Sequence, residues 1–342
     1  MTSSPAPLST VGIGSVPYRE GEDASHRIFE EWDIPFWPQY PVRSPRENFV
    51  FQFLGSFPGL EVSEAPVFDE SVYLKRQKEY QKKLDRAFGN RQYRLFEPSG
   101  EWALGYSQMR KLLEAGRFLE KEIVKLQVTG PGTVWNSFFS SRTTPKNQKE
   151  IQNDLFRTLT AAGLAQVDRI RSFRREPMIF IDDPLLLKNS QPLKTMVTMF
   201  KNAGARVGFH SCSSLSSLVG EEGHCLDLDY LHCDLGALQK TDIRLMRTLR
   251  LFLEKGGSVV WGLVPTQGDP DSGPKDYSGL LMEWVEKVAG GTLPAEAILA
   301  RSLLAPACGT GLLSPRGERR VFESLRLTAQ GLHKIKNKVL TP

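Results

Sequence analysis

From about residue 120 onward the chain alternates short apolar runs with longer amphipathic ones, and this rhythm constrains the fold more than any other feature. EIVKLQVTGP (122–131) reads as a strand stopped by Gly-Pro, and PMIFIDDP (177–184) as a buried strand that meets two acids and a proline. ARVGFH (205–210), CLDLDYLHCD (225–234), SVVWGLVPT (258–266) and LARSLLAPACG (299–309) read as further strands. Between them, 149–173, 190–203, 242–257, 276–289 and 316–336 carry helical spacing. Such an alternation implies a parallel sheet with helices outside it.

The first 120 residues are less regular. STVGIGSVP (9–17) reads as a strand with a glycine-rich exit, and the proline- and aromatic-rich DIPFWPQYP (33–41) as a weaker one. Counting both, the candidate strands lie near 11–15, 35–42, 123–129, 178–182, 205–210, 228–234, 258–263 and 302–307. Eight strands with intervening helices predict an α/β fold, a single (β/α)8 TIM barrel over 11–340. Residues 1–10 read as a disordered tail. Residues 60–120, with charged amphipathic stretches at 69–88 and 106–120, read as a helical insertion or cap. A doubly wound open sheet is the alternative, but no GxGxxG follows a strand, which argues against a Rossmann site.

Bulk properties narrow the function. The net charge of +5, from 44 basic and 39 acidic residues, permits an anionic ligand. With no dense Lys/Arg run beside aromatics, it does not point to nucleic acid. No apolar run approaches the roughly 20 residues that span a bilayer, and MTSSPAPLST has neither the basic nor the apolar region of a secretory signal. The expected location is cytoplasmic. The four cysteines, Cys212, Cys225, Cys233 and Cys308, are then expected as free thiols available to a metal or to catalysis.

In a barrel of this kind the chemistry sits at the C-terminal ends of the strands. Those ends carry Ser15, Thr129, Asp182 with Asp183, His210 with Cys212, Asp234 and Cys308. Histidine and thiolate are usual zinc ligands. Positions 210 and 212 share a strand face, so His210, Cys212, Asp234 and Cys308 form one candidate metal set. An isolated His-x-Cys is more often core than ligand, since free cysteines are among the most buried residues. His224, Cys225, His232 and Cys233 are either a rival set or packing and surface residues. Asp182-Asp183-Pro184 reads either as a helix cap or as an acid aimed into the pocket. Gly12-Ile13-Gly14-Ser15 reads as a tight turn or as backbone that a small ligand approaches closely.

Several stretches taken together resemble a known family. They are Gly12-Ile13-Gly14-Ser15-Val16-Pro17, DIPFWPQYPVRSPREN, Val128-Thr129-Gly130-Pro131, Ile181-Asp182-Asp183-Pro184, His210-Ser211-Cys212, WGLVPT and Pro306-Ala307-Cys308-Gly309-Thr310-Gly311. Their order and spacing are similar to the catalytic barrel of cobalamin-independent methionine synthase, especially the short single-barrel members of the uroporphyrinogen decarboxylase/methionine synthase-like superfamily. The resemblance implies a zinc-dependent methyltransferase in methionine biosynthesis. Zn2+ would be held by His210, Cys212, Asp234 and Cys308. Homocysteine or a similar thiol would be bound by Ile13, Gly14, Ser15 and Asp182.

This chain departs from the family pattern in ways that bear on the donor. The family has Glu where Asp234 stands, and a second acid after the Asp-Glu-Pro motif is replaced near Lys188. Arg43 lies where another acid would fall. The family's proton-donating histidine has no counterpart in WGLVPT, so the catalytic residue is unassigned. Removing a methyl group from a folate nitrogen needs a general acid, so the implied donor is another one, such as a methylated corrinoid carried by a partner protein. Two rival readings remain open. One is a decarboxylase like the porphyrinogen branch, with Arg43 and Arg46 holding carboxylates. The other is a non-catalytic barrel that binds an amino acid or a protein.

Overall fold

Parallel strands buried on both faces read as continuous apolar runs, and the runs identified above become strands in that way. The structure, a computed structural model, describes residues 4–19, 22–63, 66–139, 145–185, 191–211, 226–238, 242–267 and 273–339. In chain order, α1 (Glu22–Glu31) precedes a short antiparallel pair, β1 (Leu60–Glu61) and β2 (Val67–Phe68). Then come α2 (Glu70–Gly89), α3 (Leu104–Glu114), β3 (Ile123–Thr129), α4 (Pro131–Phe139), α5 (Gln148–Ser172), β4 (Glu176–Asp182), α6 (Gln191–Asn202) and β5 (Arg206–His210). The chain continues through β6 (Tyr230–Asp234), α7 (Ile243–Glu254), β7 (Ser258–Val264), α8 (Ser278–Ala289), α9 (Ala295–Leu299), β8 (Ser302–Pro306) and α10 (Pro315–Val339). Among the described residues no helix is long and apolar enough to cross a membrane.

Strands β3 to β8 pair in sequence order, all parallel, in one curled six-stranded sheet. The α/β class expected from the rhythm is therefore present. The two N-terminal candidate strands are not regular strands but single parallel bridges: Thr10 to Leu304, Val11 to Ile34, Ser15 to Gln39 and Phe36 to Lys125. Pro35, Pro38 and Pro41 explain much of this, because proline has no N–H to give a ladder. Residues 8–10, at the far end of the stretch read as a tail, are buried. Leu8 N donates to the Ser302 carbonyl at 2.7 Å and Val11 N to the Leu304 carbonyl at 2.9 Å.

Strand alternation sorts the side chains onto two faces. Val124, Leu126, Val128, Ile179, Ile181, Val207, Phe209, Leu231, Cys233, Val259, Trp261 and Leu304 join the large core shared with the helices. Val11, Ile13, Ile34, Ile123, Met178, Phe180, Tyr230, Val260, Leu303 and Ala305 form a separate apolar layer on the concave face. Each such side chain contributes about 1.5–3 kcal/mol when fully buried. By the same alternation, Lys125, Gln127, Thr129, Asp182, His210, His232 and Asp234 fall on the concave face, toward the C-terminal ends of their strands.

Helix α4 departs from expectation. Gly130-Pro131 ends β3 but also begins α4, since proline at the first helical position loses no hydrogen bond and already has helical φ.

Candidate active site

Above the apolar layer the concave face turns polar. Lys125 is almost fully buried. Its Nζ donates to the Ile13 carbonyl and, at 3.3 Å, to Gln127 Oε1, and it lies 5.3 Å from the centre of the Phe180 ring. Burial pulls its pKa down to about 8, opposed by the charge of Asp182. Gln127 is fixed in turn, donating from Nε2 to the Trp37 carbonyl at 2.8 Å.

Asp182 and Asp183 divide two roles that the sequence left open. Neighbouring strand residues point to opposite faces. Asp183 turns outward and caps α4: its Oδ1 accepts from Thr133 N at 2.6 Å and Thr133 Oγ1 at 2.7 Å, and its Oδ2 from Gly132 N at 3.2 Å. Asp182 turns into the concave face and pairs in register with Thr129 and His210. Its Oδ1 is buried with no hydrogen-bond partner among the described residues. Burial raises its pKa to about 7, against the pull of Lys125, with smaller upward contributions from Cys308 and Asp183.

His210 and His232 stand on adjacent strands with ring centres 4.4 Å apart. Nδ1 of one lies 3.0 Å from Nδ1 of the other, and His232 Nε2 lies 3.1 Å from the Pro306 carbonyl. A carbonyl only accepts, so His232 carries its proton on Nε2 and accepts from His210 at Nδ1. Burial holds His232 down at about pKa 4 and His210 well below its ordinary value, with His232 and then Lys125 further disfavouring charge on His210, and Lys125 disfavouring it on His232. The sequence left His232 open, as part of a rival ligand set or as a packing or surface residue. Its even-numbered place on β6, shared with Tyr230, was the available signal. Cys233, by the same alternation, points outward and is buried core.

The glycine-rich segments at the two ends of the chain meet at this rim. Ser15 O accepts from Thr310 N at 2.8 Å and from Thr310 Oγ1 at 3.0 Å, while Gly311 N donates to Ser15 Oγ at 3.3 Å. A Cβ on Gly309 would lie 2.0 Å from Ser15 Oγ, so glycine is what permits the approach. Cys308 is half-buried and close enough to influence Asp182. Thus Ile13, Gly14, Ser15, Asp182, His210 and Cys308 belong to one end of the sheet.

Of the expected zinc set, His210, Asp234 and Cys308 are among the described residues, and these three are not grouped around a common point. Asp234 Oδ1 accepts from Gly236 N at 2.8 Å in the turn that follows β6. Among the described residues no three His, Cys, Asp or Glu side chains are grouped to hold a metal ion. Cys212, Cys225, His224 and Lys188 lie outside the described residues. The arginines of the decarboxylase reading are also engaged: Arg43 pairs with the buried Glu47 at 2.5 Å and Arg46 with Glu101.

No family model matches the chain, and no curated protein matches it. Among solved structures, a similar one is the Bacillus subtilis YkuI protein, with an EAL domain, in complex with substrate c-di-GMP and calcium. It is 13% identical with a TM-score of 0.31, over 70% of this chain and 52% of that one. The chain spans about half the length of that protein.

The methionine synthase resemblance is therefore corrected. No family model or curated protein supports it, and the described donors do not form a zinc site. Zn2+, methyl transfer, methionine biosynthesis, homocysteine and the corrinoid partner fall with it. The matching motifs are short and rich in Gly, Pro and Asp, which strand-end turns favour in any barrel-like sheet.

Proposed function

We propose that the C-terminal end of the sheet binds a small polar molecule and acts on it by proton transfer, with Asp182 giving or taking the proton. The carrying observation is the buried, unpartnered Oδ1 of Asp182. A buried acceptor without a donor costs free energy, and a bound N–H or O–H would remove that cost. A carboxyl that titrates near neutrality suits general acid–base work. Lys125 supports the ionised form from below, and Ile13, Gly14, Ser15, His210 and Cys308 surround the ligand. His232 orients His210.

The scaffold in this reading is a single closed (β/α)8 barrel whose first two strands have shrunk to the bridges at residues 10–15 and 34–39, with 60–120 as an insertion. The circuit of hydrogen bonds from β8 through Val11, Ile34 and Pro35 to Lys125 supports it.

An isotope-edited infrared titration of aspartate carboxyls, taken as the difference between the native chain and Asp182→Asn, tests the proton role. A midpoint near neutrality is expected, and one in the ordinary carboxylate range overturns it. A thermal-shift panel of small amines, polyols and hydroxy acids tests binding, with c-di-GMP plus calcium as a separate arm. Stabilisation that Asp182→Asn abolishes is expected. Stabilisation confined to c-di-GMP with calcium, and kept by Asp182→Asn, replaces this reading.

A further inference from the structure

Besides the Asp182 acceptor, two buried donors at the same end of the sheet have hydrogen-bonding capacity left over. One belongs to Gln39, a side chain only 3% exposed. Its Nε2 is buried and has no acceptor among the described residues. The other belongs to Lys125. An ammonium group carries three N–H donors, and the Ile13 carbonyl and Gln127 Oε1 receive one each. No further acceptor among the described residues meets the third.

Gly14 brings the two donors together. Gln39 bridges to Ser15, and Gln39 N donates to the Gly14 carbonyl at 3.0 Å. A Cβ on Gly14 would lie 2.8 Å from Gln39 Oε1 and 3.3 Å from Gln127 Nε2. The Gln39 amide therefore uses the room that glycine leaves and lies beside Gln127, whose Oε1 receives Lys125 at 3.3 Å. Gln127 and Asp182 face the same concave surface from paired strands.

A buried polar group without a partner costs free energy, and two donors facing one acceptor describe the complement of a ligand. We propose, resting on the strand-end reading of Asp182 given above, that the site takes a small neutral hydroxycarbonyl compound, its carbonyl oxygen held by Lys125 and Gln39 and its hydroxyl by Asp182. A carbonyl oxygen has two lone pairs and can accept from both donors. An amine alone would leave both donors empty. A carboxylate would set a second anion near Asp182, whereas a neutral ligand leaves the opposite charges of Lys125 and Asp182 in balance. Gln39 is then a specificity-determining residue.

Ligand-detected NMR on the full chain tests this with four probes: hydroxyacetone, its alkene isostere 2-methyl-2-propen-1-ol, acetone and lactate. Hydroxyacetone should bind about tenfold or more tighter than the isostere, which lacks the carbonyl oxygen, or acetone, which lacks the hydroxyl. It should also bind tighter than lactate. Gln39→Met should weaken hydroxyacetone about tenfold and leave the isostere unchanged. Without a probe this variant should melt no lower than the native chain, because it removes a buried amide that has no partner. A lower melt makes Gln39 a structural residue and overturns its role. The comparison of probes on the native chain stands whatever the variant does. No binding of hydroxyacetone up to about 100 mM, weak even for so small a fragment, overturns the proposal, as does tighter binding of lactate. Equal binding of hydroxyacetone and the isostere, weakened for both by Asp182→Asn, overturns the proposal and leaves the strand-end reading standing. Binding of every probe unaltered by Asp182→Asn overturns both.

Discussion

His210 donates its Nδ1–H to His232 Nδ1 across 3.0 Å, because the Nε2–H of His232 is committed to the Pro306 carbonyl. Each imidazole is thereby fixed in one neutral tautomer.

This pair predicts an acid-side loss of stability. Burial lowers the pKa of His232 from its ordinary 6.5 to about 4 in the fold. Between those values the unfolded chain takes up a proton that the folded chain refuses, so stability falls as pH drops below about 6.5 and levels off near 4. The size is on the order of 3 kcal/mol for His232 alone. Asp182 acts in the opposite sense, because its raised pKa makes the folded chain the better proton binder between about 4 and 7. Urea melts of the native chain and His232→Asn at pH 7 and pH 5 separate the two. The native chain should lose more stability than the variant over that interval.

Lys125→Met should raise the Asp182 carboxyl above its native midpoint near 7, because the nearby cation is what opposes burial. The same infrared titration reads the shift. A midpoint that stays put or falls contradicts the electrostatic link between the two residues.

Gly309→Ala should destabilise the fold by about 1–3 kcal/mol, since its Cβ has no room beside Ser15 Oγ. Ser15→Ala removes that oxygen, and the next atom, Ser15 Cβ, lies 3.2 Å away. The double variant should therefore lose less than the sum of the single ones. Chemical denaturation of all four proteins measures the coupling, and additivity contradicts the contact.

Asp183→Ala should cost about 1–3 kcal/mol, because three donors at the start of α4 lose a buried acceptor. Thr133→Ala should cost less, since it removes one of the three. Thermal melts that rank the two variants the other way contradict the capping role.

The sheet was legible because doubly buried strands leave uninterrupted apolar runs, as in IVKLQVT and PMIFID. The rim was legible in part. Alternation along a strand places Asp182 inside and Asp183 outside only once one register is known, and the sequence does not state which parity faces the helices. His232 was hidden for the same reason, since a histidine beside Cys233 carries no mark of which of the two turns inward. Helix α4 was missed because Gly130-Pro131 stops a strand and starts a helix with the same two residues. The family resemblance misled because short Gly-, Pro- and Asp-rich turns recur wherever parallel strands end. Arg43 and Arg46 misled because their partners, Glu47 and Glu101, become visible only in three dimensions.

The backbone bonds of residues 8–11 to β8 tie the first part of this chain to nearly the last. During synthesis Val11 and Ile13 emerge long before the strand that covers them. Until β8 leaves the ribosome the concave apolar layer has an open seam, and the fold cannot complete. An obstacle near residue 8, whether a rigid fusion or a cut, would act on the closing of that seam.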